Sequence, residues 1–254
     1  MPILFNFWLL PGALTRAPDS VQGNSWQYDN LNRMIESPVG GYENDILGNR
    51  LNRNWGGATP NSTTRKYGWD AINRMTRVIG PSAGARYTYR ADGMRIEKVS
   101  DLQLHWVEDE NSESGYYDEN TLVNKPTTRY YYDGQMMIED DYYANAGSAS
   151  STWTVTRYGL GARGIDHNSK VNQSGPQGES FPIYDGHGNM VATLNRAGSN
   201  SYNLANFRSY DVWGSVRQQN TLDSDGGPRH KYCANLGHVQ DDESDLIYMR
   251  ARYY

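Results

Sequence analysis

Tyr184-Asp185-Gly186-His187-Gly188-Asn189-Met190-Val191-Ala192-Thr193-Leu194 decides how the chain folds. An Asp carboxylate can accept backbone N–H groups, and Gly or Asn three residues further on tolerates positive φ, so the first half reads as a tight turn. Met190 to Leu194 follows as a returning strand of high β-propensity. The pattern is a Tyr, an Asp, two residues, a Gly or Asn and then a long side chain, and it recurs along the chain. The copies are Tyr28-Asp29, Tyr42 with Asp45 and Gly48, Tyr67 with Asp70, Tyr89 with Asp92-Gly93, Tyr132-Asp133-Gly134 and, clearest of all, Tyr184-Asp185 with Gly188-Asn189 and Tyr210-Asp211 with Gly214. A looser copy begins at Tyr158, with Leu160 in the Asp place. Successive markers lie 16, 25, 22, 41, 27, 25 and 26 residues apart, and the long step holds an acidic insertion from Glu108 to Asn120. One hairpin is marginal alone, so the copies must pair side by side. No stretch has a sustained 3.6-residue apolar period. The expected fold is all-β: stacked hairpins forming a strip or partial shell of spiralling antiparallel sheet.

Composition agrees with that reading. Leu, Ile, Val and Phe make up only about 17% of the 254 residues, but 20 Tyr and 7 Trp supply apolar area. The formal net charge of −5 is too small for a disordered polyelectrolyte. A pI near 5.5 with interspersed charge argues against a dedicated nucleic-acid binder. A mean hydropathy of −0.81 excludes a multi-span membrane protein. The single Cys233 excludes an intrachain disulfide and a Cys-based zinc cluster. Ile3-Leu4-Phe5-Asn6-Phe7-Trp8-Leu9-Leu10 falls short of the ~20 residues that cross a bilayer, and no basic residue precedes it as in a signal peptide. It reads as a buried strand. Three regions are expected: an apolar N-terminal segment (1–23), the repeats (24–229) and a distinct C-terminal end (230–254).

That end is Gly237-His238-Val239-Gln240-Asp241-Asp242-Glu243-Ser244-Asp245-Leu246-Ile247-Tyr248-Met249-Arg250-Ala251-Arg252-Tyr253-Tyr254. With the repeats before it, it resembles the RHS-repeat, or YD-repeat, family over roughly residues 24–254. The RHS-associated core signature runs from a Gly through an acidic cluster, a Gly-Leu and aromatics to a closing Ala-Arg-Tyr-Tyr. Here Gly237, Asp241, Glu243, Leu246, Tyr248, Ala251, Arg252, Tyr253 and Tyr254 match it, while Asp245 stands where a Gly is usual. The resemblance implies a strip of hairpins wound into a hollow shell. Such proteins are large, bacterial, and secreted or at the cell surface, and many enclose a C-terminal toxin. Related shells occur in insecticidal toxin complexes and in animal cell-adhesion receptors. In toxin-bearing members an Asp-Pro, an aspartyl self-cleavage site and the toxin follow the closing motif. The sequence stops before these, so the expectation is a fragment, or a short relative that closes its sheet another way, with no family protease role for any residue here.

Other chemistries compete for particular residues. His230, Cys233, His238, Asp241 and Asp242 can be drawn as a metal site, but the spacing matches no strong zinc pattern. Cys233 beside His230 or His238 can be drawn as a nucleophile pair, without an orienting third group. Asp185 to Asn189 looks like a phosphate loop but precedes a strand rather than a helix. Glu108-Asp109-Glu110 and Glu139-Asp140-Asp141 lack the spacing of a calcium loop. Trp26, Trp55, Trp69, Trp106, Trp153 and Trp213 offer stacking faces for sugar, or pack hairpin on hairpin. Four functions therefore stay open. The first is a non-enzymatic structural segment enclosing or presenting a cargo, without cofactor. The others are a filament joined through open sheet edges, a sugar-binding adhesive module and a Cys233 hydrolase. Expected partners are the rest of a longer polypeptide, further copies of the chain, or a cargo.

Overall fold

In the computed structural model, the described residues are 26–37, 40–54, 65–80, 84–102, 105–109, 112–116, 124–211, 214–219, 229–250 and 253. The chain divides into two compact units, Met1–Ser82 and Ala83–Tyr254. The described residues are almost entirely β and include no α-helix. The N-terminal apolar run, Trp55, Trp213, Ala251, Arg252 and Tyr254 lie outside them.

The first unit holds β1 (Gln27–Tyr28), β2 (Met34–Ser37), β3 (Gly40–Asn44), β4 (Arg50–Asn54), β5 (Arg65–Trp69) and β6 (Met75–Ile79). Each pairs antiparallel with the next in chain order. The second unit begins with β7 (Gly84–Tyr89) and β8 (Arg95–Leu102), followed by the side hairpin β9 (His105–Asp109) and β10 (Ser112–Tyr116). β11 (Thr127–Asp133) then pairs back onto β8. From there β12 (Met136–Tyr143), β13 (Trp153–Gly161), β14 (Gly164–Asn172), β15 (Gly175–Tyr184), β16 (Met190–Arg196) and β17 (Tyr202–Ala205) continue the antiparallel ladder. Two further hairpins follow, β18 (Arg208–Tyr210) with β19 (Val216–Gln219) and β20 (Val239–Asp241) with β21 (Leu246–Tyr248).

The corners follow from side-chain chemistry. Asp29 Oδ1 accepts the N–H groups of Leu31 and Arg33 at 2.8 and 2.9 Å, and Oδ2 accepts Arg33 Nε at 2.6 Å. Asp70 does the same with Ile72 and Arg74, and Asp185 with His187 and Asn189. In the Asp45 and Asp211 corners the Oδ1 bond goes to the N–H four residues on. The fourth residue of each corner is left-handed: Asn32, Gly48, Asn73, Gly188 and Gly214 have φ of 60, 89, 63, 86 and 87°. Only Gly or Asn takes that conformation at little cost. The bonds to Arg33 N–H and the other donors hold the Asp29 carboxyl below its usual range.

A bulge precedes each of these corners and, within each unit, sets two side-chain positions that recur from hairpin to hairpin. The residue at the bulge pairs with the first or second residue of the returning strand: Trp69 with Met75, Tyr89 with Arg95, Tyr132 with Met137, Leu160 with Ile165, and Tyr184 with Met190. Met75, Met137, Ile165 and Met190 are fully buried, as is Arg95. Two residues before the turn-preceding position lies a second column, in which Tyr67, Tyr87, Tyr130 and Tyr158 are buried.

In five hairpins the side chain before the turn also reaches back to the preceding hairpin. It donates to a main-chain carbonyl at the start of that hairpin's returning strand. Asn44 bonds to Met34 at 3.2 Å, Trp69 to Arg50 at 2.8 Å and Tyr132 to Arg95 at 2.8 Å. Tyr184 bonds to Ile165 at 2.6 Å and Tyr210 to Met190 at 2.7 Å. The repeated Tyr is thus an apolar body with a polar tip used as a latch. Leu160 occupies this position between the Met137 and Ile165 hairpins and has no donor to offer.

Candidate functional site

In the column of Met and Ile side chains, Arg95 is a charge with 0% exposure. An unpaired buried guanidinium is strongly unfavourable. Its counterion arrives from the far end of the chain: Arg95 pairs with Asp241 on β20, itself 0% exposed. Lys98 Nζ lies 3.4 Å from Asp241 and 2.9 Å from Glu243. The guanidinium carbon sits 4.4, 4.9 and 5.0 Å from the ring centres of Tyr248, Tyr130 and Tyr87. The Arg95 N–H donates to Tyr248 Oη at 2.8 Å, and the Tyr89 and Tyr253 hydroxyls meet at 2.6 Å. Burial alone would raise the Asp241 carboxyl, but the charges of Arg95 and Lys98 outweigh it and hold the group below its usual range. Two cations, two carboxylates and a cage of phenol rings therefore lock β20–β21 onto β7, β8 and β11.

Beside this lock the segment packs apolar against the columns. Val239 closes a cluster with Tyr130, Met137, Tyr158 and Ile165. His230 meets Tyr158 edge-on, with centres 5.0 Å apart, and Tyr158 donates to Asp140. Burial raises the Asp140 carboxyl. His230 and His238 are both buried. His230 Nε2 and His238 Nδ1 have no hydrogen-bond partner among the described residues. Burial lowers both imidazoles to about 4 and keeps them neutral.

The stretch between the two histidines is seated on hairpin corners. Lys231 C=O accepts the N–H of Met190, and Cys233 N–H donates to Asn189 Oδ1 at 3.0 Å. Asn235 N–H donates to Gly188 C=O, and its amide to Arg163 C=O at 2.9 Å. A Cβ at Gly188 would lie 2.1 Å from Asn235 Oδ1, and one at Gly214 2.5 Å from the Tyr232 ring. Glycine is needed there for contact as well as for backbone conformation. Asp245 closes the β20–β21 turn with φ of 59°.

The residues named from sequence separate into distinct places. Tyr28, Tyr89, Tyr132, Tyr184 and Tyr210 precede the turns, whereas Tyr42, Tyr67 and Tyr158 stand in the second column. In the Tyr89 copy Arg90 heads the corner and Asp92 stands two places later, accepting from Arg90 and from Met94 N–H, with Gly93 left-handed. Asp133 opens a tighter two-residue turn at Gly134-Gln135. Asp241, Glu243, Tyr248 and Tyr253 converge on Arg95 and Lys98, while Gly237 packs near Met137 and Ile165. Arg95 and Lys98 escape the motif reading. The signal for Arg95 is an Arg aligned with Met75 and Met190. Cys233 is half-exposed, and burial raises its thiol. Among the described residues no three His, Cys, Asp or Glu side chains gather as a metal site, and no helix is long and apolar enough to cross a membrane. Trp26, Trp69 and Trp153 are half-buried, and Trp69 is a latch.

No family model matches the chain. Among curated proteins it is similar to the tRNA3(Ser)-specific nuclease WapA of Bacillus spizizenii and the tRNA nuclease WapA of Bacillus subtilis. It is 26% identical to each over 191 residues, which is 74% of this chain. The chain spans only 6% of the length of those relatives. Among solved structures it aligns with the TcdB2-TccC3-Cdc42 complex over 91% of this chain and 16% of that one, at 12% identity and a TM-score of 0.35. TcdB2-TccC3 without its hypervariable C-terminal region aligns over the same shares at 12% identity and a TM-score of 0.34.

Proposed function

We propose that this chain is a structural length of an RHS/YD-repeat toxin protein, non-enzymatic itself, which encloses or presents a cargo. The observation that carries this is the seating of the C-terminal segment. A buried ion lock and corner contacts from Lys231, Cys233 and Asn235 hold it on the strip as far as Arg250 and Tyr253. The similarity to WapA supports the reading. In it, the tRNA cleavage named for those relatives belongs to a part of them that this chain does not match, and the polypeptide works outside the cell or at its surface. The buried histidines support it too, since groups held neutral and away from solvent are poorly placed for catalysis on a large substrate.

The test is a fusion carrying a flexible, trypsin-sensitive reporter after Tyr254. Enclosure or close presentation predicts cleavage of the reporter at least about tenfold slower than of the same peptide free in solution. Cleavage at the free rate overturns it. Purified chain incubated with total tRNA is expected to leave it intact. Cleavage that disappears with His230→Ala would refute the non-enzymatic reading. A head-to-tail filament through strand edges is the competing assembly, and it predicts polymers in light scattering at all concentrations.

A further inference from the structure

The docked segment has two halves of different character. In its C-terminal half the carboxylates of Asp241 and Glu243 meet Arg95 and Lys98. Its N-terminal half, residues 230–238, is seated by main-chain and amide hydrogen bonds. Lys231 C=O accepts from Met190, Cys233 N–H donates to Asn189 Oδ1, and Asn235 bonds to the carbonyls of Gly188 and Arg163. Arg250 donates to Leu236 C=O at 2.6 Å. Cys233 carries a Cβ yet has φ of 47°, a conformation unfavourable for such a residue. Gly237, with φ of 79°, lies where the two halves join.

A histidine stands at each end of the N-terminal half. His230 and His238 are each 8% exposed. A charged imidazole needs an acceptor at both nitrogens. Among the described residues His230 Nε2 and His238 Nδ1 have none. The charges around them are positive. His238, Arg229 and Lys170 of β14 act on His230, and Arg250 acts on His238. Tyr158 of β13 meets the His230 ring edge-on, and its hydroxyl is already committed to Asp140 of β12. The carboxylates of Glu243, Asp241 and Asp242 act on Arg229. A proton taken up by either ring is therefore buried without an acceptor and among like charges, and water relieves it only when the stretch lifts.

We propose that the 230–238 stretch is a proton-operated clasp: acid lifts it off the hairpin corners about Gly237, while the Arg95–Asp241 lock keeps β20–β21 on the strip. The lock outlasts the clasp. Burial acts to raise the Asp241 carboxyl, but the charges of Arg95 and Lys98 hold it below its usual range. Asp140 acts against opening, because burial raises its carboxyl and a proton there favours the seated state. Each histidine titrates near 6.5 when lifted and at about 4 when seated, so between pH 7.5 and pH 5 the closing constant falls about 30-fold per ring and about a thousandfold for both. The clasp stands on the seating alone, independently of the cargo reading.

Hydrogen exchange of the full chain at pH 7.5 and pH 5, read as protection factors, tests it. Protection of the Met190, Cys233 and Asn235 amides should fall about a thousandfold. The Arg95 amide, which donates to Tyr248 Oη, should stay at least about tenfold better protected than these at pH 5. With His230→Gln and His238→Gln together, the loss should shrink below about tenfold. Lys170→Gln removes one cation from beside His230 and leaves both rings in place. It should reduce the loss at least about twofold, and it decides the matter if the double variant is unseated at pH 7.5. A wild-type loss below about tenfold, equal protection at Met190 and Arg95 at pH 5, or an undiminished loss in the variants overturns the proposal.

Discussion

Replacing Asp241 by Asn keeps the shape of the side chain and removes its charge. Arg95 is then left at 0% exposure without a carboxylate, while Lys98 retains Glu243 at 2.9 Å. Breaking a buried pair from one side costs about 3–5 kcal/mol. The three Tyr rings around the guanidinium soften this by about 0.5–2 kcal/mol. A cost near 3 kcal/mol is therefore expected, a large share of the ~5–15 kcal/mol that holds a domain folded. Restoring the apolar column should relieve it. Arg95→Met places at this hairpin the residue already present at Met75, Met137 and Met190. The double variant should thus be about 2 kcal/mol more stable than Asp241→Asn alone. Urea unfolding midpoints give the energies. Hydrogen exchange at Val239 and Gln240 shows whether β20–β21 detaches before the ladder opens. An Asp241→Asn cost below about 1 kcal/mol, or a double variant equal to the sum of the singles, would refute the lock.

The histidines predict the acid response. Folded His230 and His238 titrate at about 4 against 6.5 unfolded, so the unfolded chain takes protons first and stability falls as the pH drops from about 6.5 toward 4. At pH 5 each should cost about 2 kcal/mol. Asp140 acts in the opposite sense, because burial raises its carboxyl. The measurement is therefore the difference in urea midpoint between the wild type and His230→Gln at pH 7.5 and pH 5, and a constant difference contradicts the assignment. Tyr184→Phe removes one latch and should cost about 1 kcal/mol, with faster amide exchange confined to β14–β16; no change in either would show the latch to be idle. Gly188→Ala should cost at least about 1 kcal/mol more than Gly175→Ala. Both glycines have positive φ, but only the first would drive a Cβ into Asn235; equal thermal midpoints would remove the corner seat from the account.

The hairpin corners were open to a sequence reader because their chemistry is local. An Asp, its acceptor oxygens and a left-handed Gly or Asn lie within five residues. The roles of the two Tyr positions were not assigned that way, although their spacing from the Asp differs. Tyr67 stands three residues before Asp70 and Tyr184 directly before Asp185, and the bulge before the corner turns that difference in spacing into a core side chain and a latch. Asp92 illustrates the same limit, since Arg90 heads that corner and the carboxylate serves from a different place. The docking site was farther out of reach. Arg95 and Asp241 are 146 residues apart, and spacing along a chain says nothing about ion pairs formed across it. The C-terminal motif marked the residues that dock, while their partners on the strip had only a charge in an apolar column to betray them.

The latch has a consequence for how such a chain changes length. Each joint needs two groups alone, a donor before one corner and a main-chain carbonyl in the hairpin before it. The side hairpin β9–β10 lies in sequence between Arg95 and Tyr132, yet those two residues still meet at 2.8 Å. A joint thus ignores what is spliced between its members. Whole hairpins can be duplicated, removed or interrupted by foreign segments while the remaining joints keep their register, as links are added to a chain without recutting the others.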